Sequence, residues 1–168
     1  MDKNNNIEVT LSYKDNEYKK GVVQMTKTEI ALDRFENGFN CSQSTFSVFA
    51  EELDLDLESA LRVAGAFGGG IAGTGSTCGI VTGALMAIGL KYGKDKADDA
   101  DAKTKTNELS KAFMKDYVAM NKDLTCNGMT GCDMATEKGK ETFSEDGLKD
   151  KVCVVAMKNA VTLLEKIL

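Results

Sequence analysis

Five cysteines are the residues of this chain with the most specific chemistry: Cys41, Cys78, Cys126, Cys132 and Cys153. Histidine is absent, which excludes Ser-His-Asp and Cys-His catalysis, histidine metal ligands and a C-x-x-C-H haem site in this chain. No C-x-x-C spacing occurs, which disfavours a thioredoxin-type dithiol and a zinc ribbon. Any site built from cysteines must therefore bring together distant segments.

Two of these residues, Cys41 and Cys78, each fall in the predicted first turn of a helix. The unpaired N–H groups and the dipole at a helix N-terminus favour a thiolate, so we expect a lowered pKa at both sulfurs. A nucleophilic, redox or metal-binding sulfur requires such a lowered pKa, and both residues are therefore candidate catalytic residues. We expect them to lie close together, because the two helices that they start carry the best apolar faces of the chain.

The stretch FGGGIAGTGSTCGIVTGALMAIGL, residues 67–90, joins a glycine-rich loop to an apolar segment. Part of it resembles a dinucleotide fingerprint, but Cys78 replaces the last glycine and no hydrophobic strand precedes it. The Gly-Lys-Ser/Thr of a Walker A loop is also missing. The glycines are instead expected to let the backbone turn and to let the following helix approach another helix closely.

Helical periodicity dominates most of the remaining chain. Thr26 or Thr28 and Asp56 are candidate N-caps, and Gly38 is a candidate helix stop. The sequence predicts an all-α, single-domain bundle of about six helices, with the glycine-rich loop before a central apolar helix at Cys78–Tyr92. Three further helices are predicted to begin near Thr26, Cys41 and Asp56. Another contains Leu109, Phe113 and Tyr117, and the last covers Leu148–Leu168. The segment with Cys126 and Cys132 is predicted to be irregular, with a possible helix after Ala135.

Composition limits the partners and the compartment. The chain has 168 residues and a formal net charge of −5 with scattered basic residues, which disfavours nucleic acid and anionic membranes as partners. The N-terminus has no apolar core of signal-peptide length, and the longest apolar run is too short to span a bilayer. We therefore expect a cytoplasmic protein with reduced thiols, metal ligands or a redox pair. Residues 1–23 are interpreted as an appendage, either a short strand or disordered, and residues 24–168 as the cysteine-containing domain.

The motifs NGFNCSQSTFSVFAEELDLD and AFGGGIAGTGSTCGIVTGALMAIGLKYG, with a cysteine near TCNGMTG and another in the final helix, resemble the C_GCAxxG_C_C family of redox-active proteins. The resemblance runs from about Met25 to Leu168. It implies an all-helical fold and a redox or metal role. The cysteines that match the pattern are Cys41, Cys78, Cys126 and Cys153, whereas Cys132 is extra.

Two functional hypotheses follow from the residues and the resemblance. In the first, a cytoplasmic redox or electron-transfer protein uses Cys41, Cys78, Cys126 and Cys153 as ligands of an iron-sulfur cluster or as thiol/disulfide pairs. In the alternative, the same four thiolates hold a structural zinc ion, or the glycine loop binds a small molecule, without turnover. The expected partner of the redox protein is a second redox protein, and the sequence leaves open both enzymatic activity and a homo-oligomer.

Overall fold

A computed structural model of the protein describes residues 25–168, and within this range the chain forms helices and no β-strand. The predicted all-α fold is confirmed. The appendage predicted over residues 1–23 lies outside the described residues. Eight α-helices occur in the described part, because the segment predicted as irregular contributes the short α6 as well as α7. They are α1 (Lys27–Glu36), α2 (Cys41–Ala50), α3 (Leu57–Ala64), α4 (Gly79–Tyr92), α5 (Ala100–Asn121), α6 (Cys126–Thr130), α7 (Glu137–Glu145) and α8 (Val155–Ile167).

Side-chain caps determine where the first two helices begin. Thr26 caps α1 through a capping box with Glu29, and Gly38, at φ +100°, follows the end of that helix. Asn40 caps α2 in the same way, because its side chain accepts hydrogen bonds from the backbone N–H groups of Ser42 and Gln43. The Gln43 side chain accepts the N–H of Asn40 in return. This second capping box makes Cys41 the first residue of α2.

Helix α4 is the central apolar helix that the sequence predicts. It packs against α2, α5 and α8. Most of its apolar side chains are fully buried, among them Ile80, Val81 and Ile88. Although α4 is apolar, no helix of residues 25–168 combines the length and the hydropathy needed to cross a membrane.

Two glycines allow α2 and α4 to lie in very close contact. A Cβ atom built on Gly79 would lie 3.0 Å from the Cβ of Cys41, and one built on Gly83 would lie 2.7 Å from the carbonyl oxygen of Ser42. Real Cβ atoms essentially never approach that closely, so only glycine fits at Gly83. Gly79 faces the start of α2, and Gly83, one turn later in α4, faces the next turn of α2. The two helices therefore run parallel. Their N-termini therefore meet at one end of the bundle.

The last helical segment does not begin as an α-helix. Residues Lys149–Val154 form a π-helix that continues directly into α8. The prediction of one helix over Leu148–Leu168 therefore matches its extent but not its form. Cys153 lies in the π-helical part, a kind of segment that is frequent at functional sites.

Candidate thiol site

The glycine-rich loop before α4 makes a turn of unusual hand. The five residues Gly69, Gly70, Ile71, Ala72 and Gly73 all have positive φ angles, between +52° and +76°. A left-handed conformation costs an L-residue roughly 1–2 kcal/mol, so the loop holds strain at its isoleucine and its alanine. Backbone hydrogen bonds close the turn. In one of them the N–H of residue 75 donates to the carbonyl oxygen of Gly69 at 3.1 Å. The N–H of Gly69 in this turn lowers the pKa of the Cys41 thiol.

The same loop is tied to the segment that carries Cys126. The N–H of Cys78 donates to the carbonyl of Leu124 at 2.8 Å, and the N–H of Cys126 donates to the carbonyl of Ser76 at 2.7 Å. These bonds form an isolated antiparallel bridge. The backbone thus places Cys78 at the start of α4 beside Cys126 at the start of α6.

Cys41 lies beside Cys153, which approaches from the π-helical segment before α8. Side-chain hydrogen bonding with Cys153 is the main reason that the pKa of the Cys41 thiol is raised well above its ordinary value, and burial adds to it. The N–H groups of Cys41 itself and of Gly69 act in the opposite direction. Cys41 is half-buried, whereas Cys153 is buried.

Cys78 is the N-cap of α4 and is only 4% exposed. Burial, with a contribution from the neighbouring Cys41, raises the pKa of Cys78 to about 11. The helix N-terminus does favour the thiolate, through the N–H groups of Ile80 and Val81, but burial outweighs it. The predicted lowering of the pKa is therefore wrong for both residues, because the neighbouring Cys153 outweighs the helix N-terminus at Cys41 and burial outweighs it at Cys78.

Cys126 belongs to the same end of the bundle. Burial, together with the charges of Cys78, Cys41 and Cys132, raises its pKa to about 12. Cys132 follows α6 and is also buried. The structure thus brings Cys41, Cys78 and Cys153 together, with Cys126 beside them and Cys132 next to Cys126. All five thiols are free.

Tyr117 is a member of the site that the sequence reasoning missed. Its hydroxyl donates a hydrogen bond to the Sγ of Cys78 at 3.9 Å, and its side chain is completely buried. Burial, followed by the nearby charge of Cys78, raises the pKa of Tyr117 well above its usual range, so it stays a proton donor. The sequence does contain one signal for this role. Tyr117 lies on the same apolar face of α5 as Leu109 and Phe113, and a tyrosine hydroxyl that is buried there needs a hydrogen-bond partner.

The sequence that forms this site matches a known protein family. The model of the family described as "Putative redox-active protein (C_GCAxxG_C_C)" matches residues 39–167, a range that contains all five cysteines. The chain belongs to the C_GCAxxG_C_C family. A protein of Archaeoglobus fulgidus (strain ATCC 49558 / DSM 4304 / JCM 9628 / NBRC 100126 / VC-16) with the name "Uncharacterized protein" is 29% identical over 94 residues, 55% of this chain. The chain spans 62% of the length of that relative, and no solved structure matches.

The four pattern cysteines are also candidate metal ligands. Thiolates are suitable ligands for zinc and for iron-sulfur clusters. However, within residues 25–168 no three cysteine, aspartate or glutamate side chains are arranged so that they could hold a metal ion. With the side chains placed as they are, the four pattern cysteines do not fit an ion, and their role as metal or cofactor ligands remains a prediction.

Proposed function

We propose that this member of the C_GCAxxG_C_C family is a cytoplasmic thiol-based redox protein whose redox pair is Cys41 and Cys153. The observation that carries the proposal is that Cys153 is the first cause of the raised pKa of Cys41, which indicates that these two thiols from distant segments of the chain are neighbours. Cys78 lies next to the pair as a third thiol. The family description, a redox-active protein, agrees with a site made of thiols alone.

The proposed reaction is a two-electron oxidation. Cys41 and Cys153 each lose a proton, an S–S bond forms between them, and two electrons reduce the disulfide of a partner to two thiols. Among the pattern cysteines, Cys41 alone is not fully buried. The proposal therefore places the docking of a partner disulfide at the start of α2.

Burial has a consequence for the selectivity of the site. The thiolate is the reactive form of cysteine, and the raised pKa of Cys41 and Cys78 keeps both thiols protonated at neutral pH. Diffusible oxidants therefore react slowly with the resting site. A partner disulfide reacts through the same thiolate, so the proposal requires a docked partner to promote loss of the Cys41 proton.

A second candidate is a cluster or zinc ion held by Cys41, Cys78, Cys126 and Cys153. The observation that favours it is that the charges of Cys78 and Cys41 raise the pKa of Cys126, which indicates that these three thiols lie near one another. Metal binding would deprotonate the thiols and replace their mutual repulsion by attraction to a cation. Side chains would have to turn, because no three of them are arranged for an ion as they stand.

The test is a redox titration of the reduced protein under anaerobic conditions. The protein is equilibrated in glutathione buffers of increasing potential, and free thiols are counted by alkylation and mass spectrometry. We expect two of the five thiols to disappear in a single two-electron transition. Cys41→Ser is expected to abolish this transition, and the matched control Cys132→Ser to retain it.

The contradictory result is that all five thiols stay free over the full range of potentials. Analysis of iron, sulfide and zinc in protein purified without air distinguishes the second candidate. Iron and sulfide in equal amounts, or one zinc per chain, together with a loss of metal in Cys41→Ser, would replace the disulfide proposal by the metal proposal.

A further inference from the structure

In the thiol site, the sulfur of Cys41 has two possible partners for a disulfide. Cys153, in the π-helical segment, is the first cause of the raised pKa of Cys41. Cys78 precedes Gly79, where an added Cβ would lie only 3.0 Å from the Cβ of Cys41. A disulfide can join only two of the three sulfurs. Something in the site must therefore decide which pair forms.

The hydrogen bond of Tyr117 is affected differently by the two possible disulfides. Its hydroxyl is completely buried and donates to the Sγ of Cys78 at 3.9 Å, and within residues 25–168 it has no other hydrogen-bond partner. A disulfide between Cys78 and Cys41 would pull the Cys78 sulfur toward Cys41 and lengthen a hydrogen bond from Tyr117 that is already 3.9 Å. The buried hydroxyl would then lose its partner, which is costly in a protein interior. A disulfide between Cys41 and Cys153 leaves the hydrogen bond of Tyr117 intact.

The phenol cannot easily turn to another acceptor. Its ring stacks on Phe113, with ring centroids 5.7 Å apart. Its carbonyl accepts a hydrogen bond from Asn121 at 3.0 Å, and Asn121 accepts one from Asn159 of α8 at 2.8 Å. These contacts fix α5 at this point against the helix that continues from Cys153.

We propose that Tyr117 is a positioning residue that directs disulfide formation to Cys41 and Cys153 by holding Cys78 reduced. This inference rests on the proposed redox function and adds the choice of partner sulfur to it. The chemistry is the same two-electron step, in which the protons of two thiols leave, one S–S bond forms and a disulfide oxidant accepts both electrons. Tyr117 itself keeps its proton throughout.

The experiment compares Tyr117→Phe with the wild type and with Tyr92→Phe. The control removes a hydroxyl that donates to the carbonyl of Ile167, away from the thiols. Each reduced protein is equilibrated with oxidised and reduced glutathione, the free thiols are blocked, and the disulfide-linked peptides are quantified. We expect the ratio of Cys41–Cys78 to Cys41–Cys153 disulfide to rise about tenfold in Tyr117→Phe and to stay unchanged in the control.

An unchanged ratio in a folded Tyr117→Phe variant that still forms the Cys41–Cys153 disulfide overturns this inference and leaves the redox function standing. A wild type that forms no disulfide at Cys41 overturns both. A second measurement does not alter Tyr117. In Cys153→Ser the disulfide between Cys41 and Cys78 forms without competition from Cys153, and its equilibrium constant is expected to be about tenfold below that of the wild-type pair. Equal constants would contradict the role of Tyr117.

Discussion

Replacement of Gly83 by alanine tests the close packing of α2 on α4, which places Cys41 beside Cys78. The new Cβ would lie 2.7 Å from the carbonyl oxygen of Ser42 and 3.1 Å from the Cβ of Thr45, so the two helices must move apart. Overpacking of this kind costs about 1–3 kcal/mol, and the better helix propensity of alanine returns up to about 1 kcal/mol. We therefore expect a net loss of about 1–2 kcal/mol.

Gly89→Ala is the matched control, because it is the same substitution in the same helix at a position with nothing within 4 Å of the new Cβ. It is expected to stabilise the protein by about 0.5–1 kcal/mol through helix propensity alone. The two variants should differ by about 2 kcal/mol, or about 4–8 °C in Tm, in thermal unfolding of the reduced protein. A Gly83→Ala variant that melts at or above Gly89→Ala would refute the packing argument, and with it the reason given for the meeting of the two helix starts.

Three further predictions follow from local features of the site. Asn40→Ala removes the cap of α2 and the hydrogen bond to the carbonyl of Gly65, and should lower the free energy of unfolding in urea by about 1–2 kcal/mol, whereas an unchanged midpoint would show that this cap is not needed. Ile71→Gly relieves a β-branched residue at φ +59° and should raise Tm, and a lower Tm would mean that the side chain contributes more than the strain costs. The pKa of Cys78 in the folded protein, about 11, exceeds the ordinary value of 9.0, so this thiol ionises in the unfolded protein first as the pH rises. The free energy of unfolding should therefore fall by about 3 kcal/mol between pH 9 and 11. Urea unfolding of the reduced protein across this range measures that loss, and Cys78→Ser should show a smaller one; equal losses would contradict the buried state of this thiol.

Local signals in the sequence predicted much of the scaffold. Thr26, Gly38 and Asp56 act as the caps and the stop that their residue types indicate, because these effects depend on neighbours within one turn. The apolar stretch after Cys78 forms the central helix, and its small residues permit close helix contact as expected. The parallel packing of α2 and α4 then brings Cys41 next to Cys78.

Features that depend on tertiary packing escaped prediction. The helix N-terminus indicates a low thiol pKa, but the burial that reverses it at Cys78 arises only when other helices cover the site. The left-handed turn at Ile71 contradicts local preference and exists because surrounding contacts impose it. The four-residue spacing of Leu109, Phe113 and Tyr117 predicts only a helix, since nothing nearby in the sequence shows that the hydroxyl of Tyr117 meets a sulfur 39 positions away.

The most direct test of the central claim is a peptide map of the wild-type protein after equilibration with oxidised glutathione and blocking of free thiols. The proposed function predicts that the peptide with Cys41 is covalently linked to the peptide with Cys153, while Cys126 and Cys132 carry the blocking group. Full blocking of Cys41 and Cys153 under conditions that oxidise an exposed dithiol would contradict the claim that these two residues form the redox pair.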